Sequence, residues 1–461
     1  MNPRSLLGHC TELLEWIERS RATPADTLTS HYARTHKYLG AKERRALSEI
    51  VFATLRTRNT AIRVFESLVA SSGNPMPPSS VAALIAAIST VAPLWTGFDG
   101  TSLLNAAAHA ATDLIETLAT IYRDSTGQPL PDNWHHRATE LLHDLDRIDT
   151  TTTTAYAACL PEWIVAHFED AGMERSEIRS LGRALIEPAP LVLRVASLNQ
   201  SRQSVITAFA NEGLSVRPTQ FSPDGIIVDH RVQLLDHVLY RRGIIEVQDE
   251  GSQLVAFALS PHERWRILDA CAGAGGKALH LAAMQRDRGE IIASDIAPER
   301  LTLLRRRLVR HRLRSIRVSP IPRLALSEQR RLHSSFDAVL LDVPCSGLGT
   351  VRRAPEIKWR LHPHRVERLV TKQLRILETY APFVRSGGIL LYATCSLLHE
   401  ENERVIERFL NSSNKFVPDP VAPVLAQQNI PLAADDHQWQ LRLMPHQHGT
   451  DGFFIARLRR L

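Results

Sequence analysis

The chain has 461 residues, 44% of them hydrophobic, with 55 Lys and Arg against 49 Asp and Glu and a net charge of +6. That length allows about three domains of roughly 150 residues each, and no apolar run approaches the ~18–20 residues that span a bilayer. Five cysteines, an odd number with no CxxC pair, argue against a disulfide framework and against a zinc site. No metal is expected, and a reducing, cytoplasmic setting fits all five thiols. Met1 to Arg21 mixes charges with apolar residues at helical spacing, so it reads as mature protein and not as a signal peptide. The positive balance, carried mostly by arginine, favours a polyanionic partner such as nucleic acid.

Residues 1–150 read as an all-α bundle. Leu6, Leu7, Cys10, Leu13, Leu14 and Ile17 recur at three- and four-residue steps. A second helix is expected over Lys42–Arg56, a third over Ser80–Ala92, and a fourth with Leu104, Ala107, Ala111, Leu114, Ile115, Leu118 and Ile121 on one face. Gly73-Asn74-Pro75 and Gly127-Gln128-Pro129 read as breaks. Nothing in this region has catalytic spacing, and Cys10 and Cys159 read as small buried hydrophobes.

Thr150–Thr154 reads as a linker. Residues 155–240 then suggest a small α/β sandwich: a strand at Leu191–Val195, a helix at Ser204–Asn211 closed by Gly213, and strands at Ile226–Val228 and Val232–Leu235. Such a sheet can display aromatics that stack on RNA bases. This one has few, which favours a backbone-binding or structural role.

From 241 to 461 the texture alternates. Strands are expected at Arg266–Ala270, Glu290–Asp295, Phe336–Leu341 and Ile389–Ala393, with a helix over His364–Pro382 and a final antiparallel hairpin of Leu441–Met444 with Gly452–Leu458. Alternation of this kind predicts a doubly wound parallel sheet, Rossmann-like in architecture. The run Arg300–Arg317 reads as a solvated helix face, because its charges spread around the helix.

Ligands of such sheets bind outside the carboxyl ends of the strands. Gly273-x-Gly275-x-x-Ala278 satisfies a nucleotide-binding turn, and Asp295 lies about 20 residues on, where an acid accepts from ribose hydroxyls. The turn is not a P-loop, because Ala278 follows Lys277. NAD and S-adenosylmethionine both remain open on this turn alone. Cys345 and Cys395, each at the end of an apolar run, narrow the choice. Hydride transfer has no use for two thiols at strand tips, whereas methylation of cytosine C5 needs a thiolate to add at C6 first. A carboxyl group at N3 offsets the charge that develops in the ring, and the same rim carries one carboxylate, Asp342.

Asp269-Ala-Cys-Ala-Gly-Ala-Gly-Gly-Lys277, Asp342-Val-Pro-Cys-Ser-Gly-Leu-Gly349 and Tyr392-Ala-Thr-Cys-Ser396 resemble the three main motifs of the Nol/Nop/Sun family of RNA cytosine-5 methyltransferases. Val351–Trp359, Glu400-Glu401-Asn402-Glu403 and Asp451-Gly452-Phe453-Phe454 support the resemblance. It implies a NusB-like helical domain over 1–150, an RRM-like subdomain over 155–240 and an S-adenosylmethionine-dependent methyltransferase domain over 241–461. It also implies Cys395 as nucleophile, Cys345 as the group that assists proton removal and product release, and Asp342 at the base, with Lys277 in the catalytic set. The cofactor would lie on Cys271, Ala272, Gly273, Ala274, Gly275, Gly276 and Lys277, with Asp295 on its ribose and Asp342 beside it. The implied partner is small-subunit (16S) ribosomal RNA, the implied state a monomer away from any membrane.

Three departures from the family pattern stand out. Gly273-Ala274 replaces the usual Ala-Pro, Val318–Arg323 lacks the acid expected near the cofactor adenine, and Val238-Leu239-Tyr240-Arg241-Arg242 stands where the family usually has an aromatic and a small residue. The adenine is therefore expected to be held differently. Two alternatives accompany this reading: a non-catalytic RNA-binding or ribosome-assembly factor with a degenerate methyltransferase domain, and a NAD-dependent oxidoreductase.

Overall fold

The computed structural model describes residues 3–20, 22–69, 119–120, 122–123, 129, 144 and 148–461, apart from 197, 230, 231, 233, 322–325 and 433–436. The helix expected over Ser80–Ala92, most of the one ending at Ile121, and the breaks at 73–75 and 127–128 lie outside these residues. Contacts divide the chain into two units, residues 1–188 with 351–361 and residues 189–350 with 362–461. No helix among the described residues is long and apolar enough to cross a membrane.

In the first unit the apolar steps form helices Pro3–Arg19, Ala25–Thr35 and Ala41–Val69. Leu7, Cys10, Leu13, Leu14 and Ile17 are all buried, and burial pushes the Cys10 thiol up. Thr150–Thr154 is not a linker. Thr151–Ala157 is a helix, and Thr150 caps it: its hydroxyl accepts from Thr153 N at 3.1 Å, and the Thr153 hydroxyl accepts from Thr150 N at 3.1 Å. Capping chemistry turns a polar repeat into a helix start.

Residues 351–361, which belong in sequence to the methyltransferase range, fold with the helical unit. Lys358 is fully buried and donates to the carbonyls of Arg56 (2.7 Å) and Cys159 (2.6 Å). Burial lowers its pKa to about 8. Glu356 accepts from Ala25 N at 2.9 Å, and Arg360 donates to Ile17 O at 2.7 Å and Thr23 O at 2.9 Å.

The second unit opens with a four-stranded antiparallel sheet in the order β2-β3-β1-β4, where β1 is Leu191–Val195, β2 Val216–Pro218, β3 Gly225–Val228 and β4 Ile245–Val247. Helix Arg202–Asn211 packs on it. β2 and β4 have three residues each, too short to show alternation in sequence. The strand expected at Val232–Leu235 is absent, and Leu234–Asp236 is a 3-10 turn. Both edges of β3 are already taken, by β2 and β1.

The large sheet runs β10-β12-β9-β8-β5-β6-β7, with β11 beside β12. β5 is Arg266–Asp269, β6 Glu290–Ala293, β7 Ile316–Val318, β8 Phe336–Asp342 and β9 Val384–Thr394. These five are parallel. β12, Phe453–Arg460, runs antiparallel to β9, β10 (Phe416–Pro418) and β11 (Gln440–Leu443). Ala338 to Leu341 are all buried, as a strand covered on both faces requires. β9 starts at Val384, five residues before the expected Ile389, with a register irregularity between Phe336 and Ala338. The chain turns back at β5, with β6 on one side and β8 on the other. That switch point opens the crevice in which open α/β sheets bind ligands.

Candidate active site

Three strand tips build the crevice. β5 ends at Asp269 and passes into the turn 271–277. Gly275 has φ +86°, and a Cβ there would lie 2.1 Å from Leu304 Cδ1, so only glycine fits. At the end of β6, Asp295 accepts from Gly273 N and Ala297 N, both at 2.8 Å, and so pins the turn. β8 delivers Asp342, which accepts from Lys277 Nζ at 2.7 Å. Burial works to lower the Lys277 pKa, but the charge and hydrogen bond of Asp342 outweigh it and hold the ammonium above its ordinary value. β8 and β9 are paired Asp342 to Ala393. The loops that follow therefore bring Cys345 Sγ and Cys395 Sγ to 3.4 Å.

The cavity measures about 1000 Å³ and is lined by Cys271, Lys277, Asp295, Asp342, Cys345 and Cys395, together with the backbone of the turn. Gly275 alone of the expected residues does not line it, since it faces Leu304. The hydrogen bond to Cys395, then burial, then the charges of Cys395 and Glu401 raise the Cys345 thiol well above its ordinary value. Burial, followed by the nearby carboxylates, pushes the Cys271 thiol up.

Asp269 is buried beneath the turn. Burial first and the Asp342 carboxylate second push its pKa up to about 7, against the pull of Lys277. A carboxyl whose folded pKa is raised contributes stability that is complete below its unfolded value near 3.9. That contribution is lost as pH rises through about 7. Wild type is therefore expected to lose up to about 4 kcal/mol relative to Asp269→Asn between pH 4 and pH 8, at ~1.4 kcal/mol per pKa unit. Urea melts of both proteins across that range check it, and parallel curves would refute it.

Sequence reasoning missed the group that supports both cysteine loops. Glu401 is fully buried. It accepts from Ser346 N (2.8 Å), Gln373 Nε2 (3.0 Å) and Ser396 Oγ (2.5 Å), so one carboxylate ties the residue after each cysteine to the helix Pro363–Tyr380. Asn402 completes the clamp, donating to Ser396 O and accepting from the Thr394 hydroxyl. The stretch Glu400–Glu403 is visible in sequence, but burial of one of its acids is not. Glu401→Ala removes the shared acceptor of three donors and is expected to lower unfolding free energy by about 3 kcal/mol in chemical denaturation, with Glu401→Gln milder.

Sequence reasoning also took Arg300–Arg317 for a solvated face. The helix Pro298–His311 instead sends Arg307 to Ala274 O at 2.9 Å and to the buried Glu246 at 2.6 Å, with Arg310 and His311 on the same carboxylate. The turn 271–277 is thus braced from behind. In the segment lacking the usual acid, Ile321 is buried and its N–H donates to Ser294 Oγ at 3.1 Å. Among the described residues, His9, Glu12 and His36 could offer ligand atoms within 4.8 Å of one another. The Tyr32 hydroxyl already bonds His9 at 2.7 Å and Glu12 at 2.6 Å there.

A seven-strand order of this kind, with a glycine turn after β5, an acid after β6 and a cavity at the switch point, defines a Rossmann-like methyltransferase domain. Residues 256–459 match the family model described as 16S rRNA methyltransferase RsmB/F, and residues 160–234 match the RsmF/B-like ferredoxin-like domain. The chain is 33% identical over 302 residues to the probable ribosomal RNA small subunit methyltransferase B of Bacillus subtilis, covering 65% of this chain and 66% of that one. It is 32% identical over 318 residues to ribosomal RNA small subunit methyltransferase B of Pseudomonas syringae pv. tomato, covering 69% and 68%. The matched stretch thus spans about two thirds of these relatives. A methyltransferase homologue from Pyrococcus horikoshii shares the fold, with a TM-score of 0.56 at 25% identity, covering 68% of this chain and 99% of that one. The chain belongs to the RsmB/F family of ribosomal RNA small-subunit methyltransferases. Family membership displaces the oxidoreductase alternative.

Proposed function

We propose that the chain transfers the methyl group of S-adenosylmethionine to C5 of a cytosine in small-subunit ribosomal RNA, through a transient bond between Cys395 and C6 of the base. The observation that carries this reading is the pair of thiols 3.4 Å apart in the same cavity as Asp342 and Lys277.

Cytosine C5 becomes nucleophilic once a thiolate has added to C6. The surroundings of Cys345 favour its protonated form, which suits a group that acts after the adduct has formed. Asp342 accepts from Lys277 and is oriented by it. In this role a proton held between Asp342 and N3 moves onto N3 as negative charge develops in the ring, and so offsets it. Two of the causes that raise the Cys345 thiol, the hydrogen bond to Cys395 and its charge, vanish when Cys395 bonds to C6. Cys345 can then lose its proton to solvent and, as thiolate, take the C5 proton. The C5–H electron pair forms the C5–C6 double bond as the C6–S bond breaks and Cys395 leaves as thiolate.

The turn 271–277 fits the cofactor. A Cβ at Gly273 or Gly276 would meet nothing within 4 Å, so the backbone there is open to a ligand. The Asp295 carboxylate keeps lone pairs beyond its two backbone bonds for ribose hydroxyls. When bound, S-adenosylmethionine supplies an electrophilic methyl group.

The test is to incubate the full chain with small-subunit rRNA and methyl-labelled S-adenosylmethionine, digest the RNA and identify the labelled nucleoside by mass spectrometry. Label in 5-methylcytidine is expected. Label in another nucleoside sinks the chemistry. Tight rRNA binding without label supports the binding-factor alternative, for which the missing acid in 318–323 is the supporting feature.

A further inference from the structure

The helix Pro363–Tyr380 carries a basic stripe that neither the reaction nor the fold uses. Arg365, Arg368, Lys372 and Arg375 follow one another at steps of three, four and three residues. At 100° per residue that places them within an arc of about 80°. All four are exposed, and none has an ion-pair partner among the described residues. The opposite face of the helix is buried, through Val366, Gln373, Leu377 and Tyr380. The acids Glu367 and Glu378 lie off the stripe, and Glu367 faces His364. A merely solvated face intersperses both signs; this one separates them.

The direction of the helix gives the stripe a use. Gln373 Nε2 donates to Pro344 O at 3.1 Å, beside Cys345. Tyr380, at the far end, lines the same cavity as Asp295, at the cofactor side. Lys372 and Arg375 line the cavity that holds both cysteines, and Arg368 and Arg365 continue outward from it. From first to last the stripe covers about 15 Å at ~1.5 Å per residue.

We propose that this stripe is a track for the sugar-phosphate backbone of the RNA strand that delivers the target base to the cavity. The inference rests on the reading of the site as an rRNA methyltransferase centre and adds the surface that the substrate follows. A row of exposed cations without ion-pair partners among the described residues, leading into the cavity that holds both cysteines, fits a polyanion, whose affinity comes from phosphate neutralisation.

The experiment is fluorescence anisotropy of the full chain with a labelled small-subunit rRNA fragment over a salt series. It compares wild type with R365Q/R368Q and with R305Q/R306Q. Arg305 and Arg306 are also exposed but sit on the helix Pro298–His311. R365Q/R368Q is expected to weaken RNA binding about five- to ten-fold at 0.1 M salt. It should also flatten the slope of log K against log salt by about 1.4, at ~0.7 per single-strand phosphate contact. R305Q/R306Q should change both much less, and calorimetric binding of S-adenosylmethionine should be unchanged in either. Equal losses from the two pairs would reduce the effect to net charge and overturn the track, as would no loss from R365Q/R368Q or no RNA binding by wild type. Because the assay reads binding alone, a wild type that binds RNA but makes no 5-methylcytidine refutes the reaction while leaving the track standing.

Discussion

Cys395→Ala is expected to abolish methyl transfer, a loss of about 10⁴-fold or more, while Cys345→Ala accumulates a protein–RNA adduct that survives denaturation. The first effect follows from removing the thiol proposed to activate C5, and loss of a nucleophile typically costs this much or more. The second follows from the 3.4 Å spacing, which leaves Cys345 next to the C6–S bond and able to act only after that bond has formed. Without it, the adduct forms but the C5 proton stays and the sulfur cannot leave. Denaturing gel electrophoresis of each variant with labelled small-subunit rRNA reads both at once. An adduct from Cys395→Ala and none from Cys345→Ala would exchange the two roles. Adducts from neither would remove the covalent route.

Gly349→Ala should lower the methylation rate by about 10²-fold or more with little change in S-adenosylmethionine affinity. Gly349 N donates to Cys395 O at 2.9 Å, and Gly349 O accepts from Gly452 N at 2.9 Å. One glycine therefore joins the Cys345 loop, the Cys395 loop and the start of β12. A Cβ there would lie 2.1 Å from Gly452 O and 2.9 Å from Cys395 O, and both are backbone atoms that cannot rotate away. The loops must part, and a displacement of about 1 Å in a reacting group can cost 10²-fold. The turn 271–277 lies on another strand tip and should bind cofactor as before. Single-turnover kinetics with calorimetry separates the two. A matching loss of cofactor affinity would mean that the whole crevice had collapsed.

Much of the sheet is legible in the sequence, because parallel strands covered on both faces read as continuous apolar runs. Phe336–Leu341 and Glu290–Ala293 show it. The positions that end those runs are legible too. Asp342, Cys345 and Cys395 are small polar residues placed where apolar runs stop, and a doubly wound topology sends such positions to one rim. The strands that escape notice, β2, β4, β7 and β10, have three residues each and take their conformation from the neighbours they pair with.

The sequence by itself determined the class of fold, the glycine turn, the acid after β6 and the two thiols, because each is a local pattern with a local physical cause. Tertiary structure alone decided which distant groups meet them. Glu401 is 55 residues from Ser346, yet it bonds that backbone and Ser396 together. Arg307 leaves a run that looks solvated to hold Ala274 and Glu246. Lys358, within a motif-like stretch after the Cys345 loop, is buried among the carbonyls of the helical unit. In each case a buried charge, that of Glu401, Glu246 or Lys358, is satisfied by partners far away in the chain. No spacing or composition encodes such partners, since burial of a charge is set by the packed whole and not by its flanks.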